Sequence, residues 1–315
     1  MSELCEVAEN VYLIDTEEGS IPRLTATYFL NEGRKALIDA GSPNSASTIL
    51  NGIKRLGVDP KEVSYVVITH VHLDHAGGAG TLSKEMPYAE VLVHPRGAKH
   101  LVDPTKLTSS AMQVLSREEM ERYGSMIPVS QEKVRVLEDN AVIELNSQQR
   151  LRVIYTPGHA HHHLSLLEER NKGLFAGDAI GEYVPGAEFL FVDTPAPSFD
   201  LASALESIER VRQLPLQVLY FSHFGVSRKV EEILQVAQNK LKVWGEVIYH
   251  AMKNDPGDLV EGLKEFIDAE LEPIRSDKDH YGIWAAWATE SVGGYIDYFK
   301  RTQGNLFSAR KEGKE

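Results

Sequence analysis

The sequence predicts a layered α/β fold, two stacked sheets with helices outside, followed by a helical extension. Three observations predict it. Strand-like and helix-like segments alternate over the first 225 residues. They form two strand-rich halves, each closed by a helix, the pattern of packed layers around a shared core. From about residue 226 strand signals stop and helical periodicity takes over. The expected division is therefore a layered α/β domain over 1–225 and a C-terminal helical extension over 226–315. A chain of 315 residues with 42% hydrophobic and 25% charged content has ordinary globular usage and ample length for that core.

Each element has a local reason. Val11 to Ile14, Thr25 to Leu30 and Ala36 to Ile38 read as successive strands, with Asn31-Glu32-Gly33 as a hairpin turn. Residues 44–57 place Ala46, Ile49, Leu50, Ile53 and Leu56 at helical spacing, and Gly57 ends that helix. Val63 to Ile68 is β-branched and nearly all apolar, as a strand buried on both faces should be. Val91 to Val93 follows. Residues 104–130 give a weaker pattern, with Ser116-Arg117-Glu118-Glu119 as a capping box.

The second half offers strands at Val134 to Leu137, Ala141 to Leu145, Leu151 to Tyr155, Leu164 to Leu167 and Leu174 to Ala176. A helix capped by Asp200 and the strand Val218 to Phe221 complete it. Beyond, Val226 to His250, Leu259 to Leu271 and Tyr281 to Arg301 read as helices. They are broken at Asp255-Pro256-Gly257-Asp258 and Glu272-Pro273, with Lys311 to Glu315 as a fraying end.

Charge and cysteine content narrow the function. A net charge of −13 with scattered Lys and Arg argues against nucleic acid, which needs a cationic face. No stretch approaches the about 18 apolar residues of a membrane span. Cys5 is the only cysteine, and the acidic start Met1 to Glu6 lacks a secretory pattern, so a cytoplasmic protein is expected.

The chemistry lies in Thr69-His70-Val71-His72-Leu73-Asp74-His75, directly after the buried strand. Residues two apart on an extended segment point to one side, so His70 and His72 can face one ion. A turn into helix, eased by Gly77 and Gly78, would swing Asp74 and His75 to a neighbouring position. Surface histidines at a strand end are the plainer alternative. Three further groups follow predicted strands: His159 after Leu151 to Tyr155, Asp178 after Leu174 to Ala176, and His223 after Val218 to Phe221. Together they make five imidazoles and two carboxylates, suited to zinc, iron or manganese. Seven donors are too many for one tetrahedral ion and suit two ions sharing a bridging carboxylate.

His70-x-His72-x-Asp74-His75, His159, Asp178 and His223 resemble the metallo-β-lactamase-fold hydrolases over roughly residues 8–225. The resemblance implies a four-layer αβ/βα sandwich with two divalent ions, zinc first and iron or manganese as alternatives. It implies His70, His72 and His159 on one ion, and Asp74, His75 and His223 on the other, with Asp178 bridging. Ions of this kind make hydroxide available near neutral pH. Asp74 is the candidate catalytic residue, orienting that nucleophile and returning its proton to the leaving group.

Asp39 matches a supporting position in the family and is equally a turn residue before Gly41. His163 matches a supporting His, and His161 and His162 read as loop or supporting residues. The expected reaction is hydrolysis of a small thioester or lactone. Alternatives are an iron persulfide-dioxygenase-like oxidoreductase, or a phosphodiesterase or ribonuclease of the same fold.

Asp178 stands where the β-lactamases sharing this motif have Cys or His, which argues against antibiotic hydrolysis. Glyoxalase II thioesterases share Asp178 and a helical C-terminal domain, but Asn305-Leu306-Phe307 only faintly echoes their late signature. Acyl-homoserine lactonases place a Tyr after the bridging Asp. Tyr183, at a different offset, is the candidate substrate-binding residue. Trp284 and Trp287 read as core, as a pocket or lid over a small-molecule substrate, or as a homodimer interface.

Overall fold

The protein is described by a computed structural model over residues 2–114, 116–254 and 259–302. It divides into two compact units. The first comprises Met1–Tyr155, His162–Gly177 and Leu216–Arg228, the second Thr156–His161, Asp178–Pro215 and Lys229–Glu315.

The first unit holds both sheets. Its seven-stranded sheet runs in chain order: β1 (Leu4–Ala8), β2 (Val11–Asp15), β3 (Ala26–Leu30), β4 (Lys35–Ile38), β5 (Val63–Val67), β6 (Glu90–Val93) and β7 (Val134–Val136). Pairing is antiparallel from β1 to β4 and parallel from β4 to β7. The six-stranded sheet has β8 (Val142–Glu144), β9 (Arg150–Tyr155), β10 (Leu164–Glu168), β11 (Gly173–Phe175), β14 (Val218–Tyr220) and β15 (Val226–Ser227). The intervening β12 (Glu182–Val184) and β13 (Phe189–Phe191) form a hairpin in the second unit.

Two apolar layers hold the first unit together. One lies between the sheets, where Leu13, Tyr28, Ile38 and Val67 meet Val153, Leu166, Phe175 and Tyr220. The other packs the outer face of the first sheet on α1 (Ala46–Arg55), α2 (Leu73–Ala76), α3 (Ala79–Glu85) and α4 (Pro95–Val102). In α1, Ala46, Ile49 and Ile53 are buried as their spacing predicts, and Gly57 follows at a φ of 75°. Tyr28 at the centre has a second task. Its ring packs on Phe175 and Tyr220, and its hydroxyl lies 2.8 and 2.7 Å from the carbonyl oxygens of Phe221 and Gly225. That holds the turn after β14 at a fixed height on the first sheet, and this turn carries His223.

Residues 104–130 contain α5 (Thr105–Val114) and α6 (Arg117–Tyr123). The second unit adds α7 (Leu201–Arg212), α8 (Val230–Asn254), α9 (Leu259–Gly262), α10 (Lys264–Glu270) and α11 (Tyr281–Thr302). Asp200 caps α7 by accepting from the Ser203 amide at 2.9 Å, as expected. Phe191 packs edge-to-face on Trp244 and Trp284, and Phe199 on Tyr295. Trp284 is thus core, and the half-buried Trp287 rests edge-on against it.

Three differences from the sequence reading have physical causes. Val226 and Ser227 pair with β14 instead of opening the next helix, because a two-residue strand exists only by its pairing. Residues 182–191, where no strand was expected, contain the β12–β13 hairpin, whose three-residue strands are too short for a periodicity signal. Strand β1 escaped notice because its residues are half-buried, with Glu6 exposed. The expected break at 255–258, Asn305-Leu306-Phe307 and the fraying end at 311–315 lie outside the described residues. Among the described residues no helix is long and apolar enough to cross a membrane.

Candidate metal centre

The motif after β5 folds as its spacing demands. His72 is extended, with φ −68° and ψ 159°, and its carbonyl accepts from the amides of His75 and Ala76 as α2 begins. Glycine is required just beyond. A Cβ on Gly77 would lie 2.3 Å from the Leu73 carbonyl oxygen, and one on Gly78 2.2 Å from that of Ala40. The chain therefore turns tightly enough to bring four motif side chains to one place.

In the first unit these side chains form a continuous group. His70 Nε2 lies 3.0 Å from His72 Nδ1, and the His70 ring is 4.1 Å from that of His75, centroid to centroid. Asp74 Oδ2 is 3.4 Å from His75 Nε2 and 3.3 Å from His223 Nε2. Ligand atoms of Asp74, His75 and His223 lie within 4.8 Å of one another, close enough to hold one ion. Burial pushes the Asp74 carboxyl up, but the charges and hydrogen bonds of His75 and His223 outweigh it and hold it well below the usual range. In the second unit His159 Nε2 lies 3.5 Å from Asp178 Oδ2. Tyr183 sits in β12 of that unit, 5% exposed.

The donor set fits a divalent cation. At each of three buried imidazoles one ring nitrogen meets a supporting oxygen while the other meets a second candidate ligand. His75 Nδ1 is 3.0 Å from Asp39 Oδ2, His70 Nδ1 is 3.1 Å from Thr69 Oγ1, and His159 Nδ1 is 3.3 Å from the Asp193 carbonyl oxygen. A neutral imidazole so held keeps one lone pair directed away from its anchor, which is what a metal ligand requires.

Asp39 is the hub of this support. It is 2% exposed and sits at a φ of 64°, a left-handed conformation that Asp tolerates better than most residues. Its carboxylate accepts from the Thr69 amide at 2.8 Å, from Thr69 Oγ1 at 2.9 Å and from Ser222 Oγ at 2.9 Å, besides facing His75. The motif after β5 and the turn after β14 are thereby tied to one side chain. His163 is 1% exposed, its ring 5.0 Å from that of His70, and it fills space a Cβ on Gly177 would invade. His162 lies beside His70 and His72, whereas His161 is exposed.

The metallo-beta-lactamase superfamily pattern matches residues 20–223, more than half of the chain. The chain belongs to the metallo-beta-lactamase superfamily. A metallo-beta-lactamase fold-containing protein of Sulfurisphaera tokodaii, ST1585, is 32% identical over 264 residues, 82% of this chain and 93% of that protein. An N-acyl homoserine lactonase of Bacillus cereus is 24% identical over 239 residues, 67% of this chain and 79% of that protein. The solved structure of a metallo-beta-lactamase family protein from Thermus thermophilus, TTHA1429, aligns with a TM-score of 0.66 at 21% identity. The alignment covers 95% of both chains, so the fold is shared along nearly their full length. The superfamily is one of metallo-hydrolases with His and Asp metal sites, and this chain has the fold and the donor clusters of that superfamily.

Two groups near the site carry no motif signal. Asp193 is treated below. Glu18, 1% exposed, lies in the β2–β3 loop with its Oε2 3.1 Å from Ser45 Oγ. Burial pushes its carboxyl up to about 7, with hydrogen bonds from Ser42 and Ser45 opposing and the charge of Asp74 adding. Glu17, Gly19 and Ser20 on either side of it have positive φ, so the loop is bent to carry this carboxyl inward. Its neighbours Glu17, Gly19 and Ser20, with Asn44, Ser47 and Arg122, line a polar cavity of about 820 Å³. Only the tertiary placement distinguishes Glu18 from any loop glutamate.

A raised carboxyl makes stability fall with pH. Below the ordinary value of 4.5 both folded and unfolded chains carry the proton, and nothing changes. Between 4.5 and about 7 only the unfolded chain loses it, so stability declines as pH rises and then levels off. In metal-free protein, Glu18→Gln is expected to be more stable than the parent at pH 8, by at most about 3 kcal/mol, and equal to it near pH 4. Urea midpoints at the two pH values measure this, and an equal difference at both would contradict it.

Proposed function

We propose that this chain is a dinuclear metallo-hydrolase that cleaves a small ester-like bond, a lactone or a thioester. The proposal assigns His70, His72 and His159 to one divalent ion, Asp74, His75 and His223 to the other, and Asp178 as the bridge. Zinc is the first candidate metal. The observation that carries the reading is the partly exposed Asp74 carboxylate set between His75 and His223. An acid–base group within the donor set is what a hydrolase needs and a structural metal site does not. Support for a lactone comes from the relative that is an N-acyl homoserine lactonase.

When bound, the ions would supply Lewis acidity and a water nucleophile near neutral pH. The residues do the rest. Asp39 fixes the His75 ring, so that its Nε2 faces Asp74. Asp74 accepts the proton of the attacking water and returns it to the leaving oxygen or sulfur, a role for a carboxylate kept ionised. The cavity beside Glu18, with hydroxyl, amide and guanidinium groups in its wall, would take the polar remainder of the substrate. Tyr183 would stabilise the developing oxyanion. Residues 226–315 would form the helical extension that completes the substrate site or joins two copies.

Proton release by metal-loaded protein, measured in parallel on a lactone, a thioester and a phosphodiester, tests the reading, with Asp74→Ala as control. One substrate class turned over at least about a hundredfold faster than the others, a gap near 2.7 kcal/mol in transition-state binding, would define the bond cleaved. A preference for the phosphodiester would overturn the ester reading. No turnover above the control would overturn the hydrolase, and iron content with oxygen uptake would then be measured.

A further inference from the structure

His159 is held by residues that lie outside every motif. The imidazole is 3% exposed and its two nitrogens face different partners. Nε2 looks toward Asp178 Oδ2 at 3.5 Å, while Nδ1 lies 3.3 Å from the carbonyl oxygen of Asp193 and 3.7 Å from Asp193 Oδ2. Asp193 is itself fixed, because Ser291 Oγ donates to its Oδ1 at 3.1 Å. Ser291 is fully buried in the middle of α11.

The strand end and the helix are clamped twice more. The Thr194 amide donates to Ser291 Oγ at 3.2 Å, and Thr194 Oγ1 donates to the Ser291 carbonyl at 2.9 Å. One turn further along, Gly294 permits the approach, since a Cβ there would lie 1.8 Å from the Thr194 carbonyl oxygen. The backbone before the imidazole is pinned too: the Asp200 amide donates to the Gly158 carbonyl at 2.8 Å.

We propose that Asp193 is the positioning residue for His159 as a metal ligand, and that α11 sets metal affinity through Ser291. With Nδ1–H donated to the Asp193 carbonyl oxygen and the Asp193 carboxylate 3.7 Å away, the Nε2 lone pair is aimed at the side where Asp178 lies. Ser291 Oγ donates to the Asp193 carboxylate and accepts from the Thr194 amide, so it fixes the peptide whose carbonyl the ring faces and holds the ring before any ion arrives. The final helix thus has a role in the metal site without contributing a ligand. The inference rests on the reading of His159 as a ligand.

The test is zinc affinity, by competition with a chromophoric chelator, alongside the absorption spectrum of cobalt-loaded protein and the unfolding midpoint of metal-free protein. Asp193→Asn removes the carboxylate charge 3.7 Å from Nδ1 and is expected to weaken binding of one ion several-fold. Ser291→Ala is expected to weaken it several-fold, with Ser291→Thr restoring it, and both lowering variants should alter the cobalt spectrum. Arg301→Met removes a tie between α11 and the Phe199 carbonyl without touching Asp193, Thr194 or Ser291, so it should lower the unfolding midpoint and leave zinc affinity intact.

His159→Ala separates the two claims. If it leaves zinc affinity unchanged, the ligand reading itself fails. If it weakens binding while Asp193→Asn and Ser291→Ala do not, the ligand reading stands and the present proposal is overturned. Should Asp193→Asn fail to fold, the Ser291 pair and Arg301→Met decide the matter: affinity tracking stability across all three would leave only a structural clamp.

Discussion

Asp39→Ala is expected to destabilise the metal-free protein by roughly 3–5 kcal/mol, although Asp39 is assigned no ion in the ligand set. The carboxylate takes hydrogen bonds from the Thr69 amide, Thr69 Oγ1 and Ser222 Oγ and faces His75 Nδ1, all within 3.0 Å and all buried. Truncation leaves several donors in an apolar surround without an acceptor, at about 1–3 kcal/mol each before relaxation. Alanine at a φ of 64° adds roughly 1 kcal/mol of backbone strain. Zinc affinity should fall about 10- to 100-fold as well, because the His75 ring loses its anchor. Asp39→Asn keeps the shape and one acceptor, so it should retain much of the stability while still lowering affinity. Urea unfolding of metal-free protein and chelator competition read the two effects separately. A midpoint unchanged in Asp39→Ala would show that the hub is dispensable.

The largest effect on turnover is expected from Asp74→Asn, a loss of about 10²- to 10⁴-fold in kcat. The substitution keeps the volume and one acceptor oxygen but removes the charge that His75 and His223 hold at 3.4 and 3.3 Å. The parent carboxylate can take up a proton, which an amide cannot. Binding of the ion shared with His75 and His223 should weaken at the same time. Measuring turnover at saturating zinc separates the two losses. A kcat within a few-fold of the parent under those conditions would remove Asp74 from the proton transfer.

The fold was legible where hydrophobic pattern and local geometry coincide. Val63 to Val67 is apolar on both faces because helices cover one side and the second sheet the other, and a buried parallel strand has no other way to read. The helix over 46–55 and the cap at Asp200 declared themselves by periodicity and by a side-chain acceptor at the right offset. Strand β15 and the β12–β13 hairpin did not, since strands of two or three residues exist only by virtue of the partner they meet. The motif His70-x-His72-x-Asp74-His75 was readable because candidate ligands on one short turn must sit at fixed spacing. Its tightness also demanded Gly77 and Gly78, whose missing side chains make room for the carbonyls of Leu73 and Ala40.

By itself, then, the sequence pointed to the sandwich, the superfamily and the candidate donors, because each donor follows a strand or turn whose pattern is set by neighbours a few residues apart. Only the tertiary structure decided which residues hold those donors still. Asp39 meets Ser222 across 183 positions, and Ser291 meets Asp193 across 98. Glu18 becomes a buried acid only because its loop folds inward onto Ser45. No local spacing rule can encode such pairs: a hydrogen bond between distant segments depends on how the layers pack, and that packing is a property of the whole core.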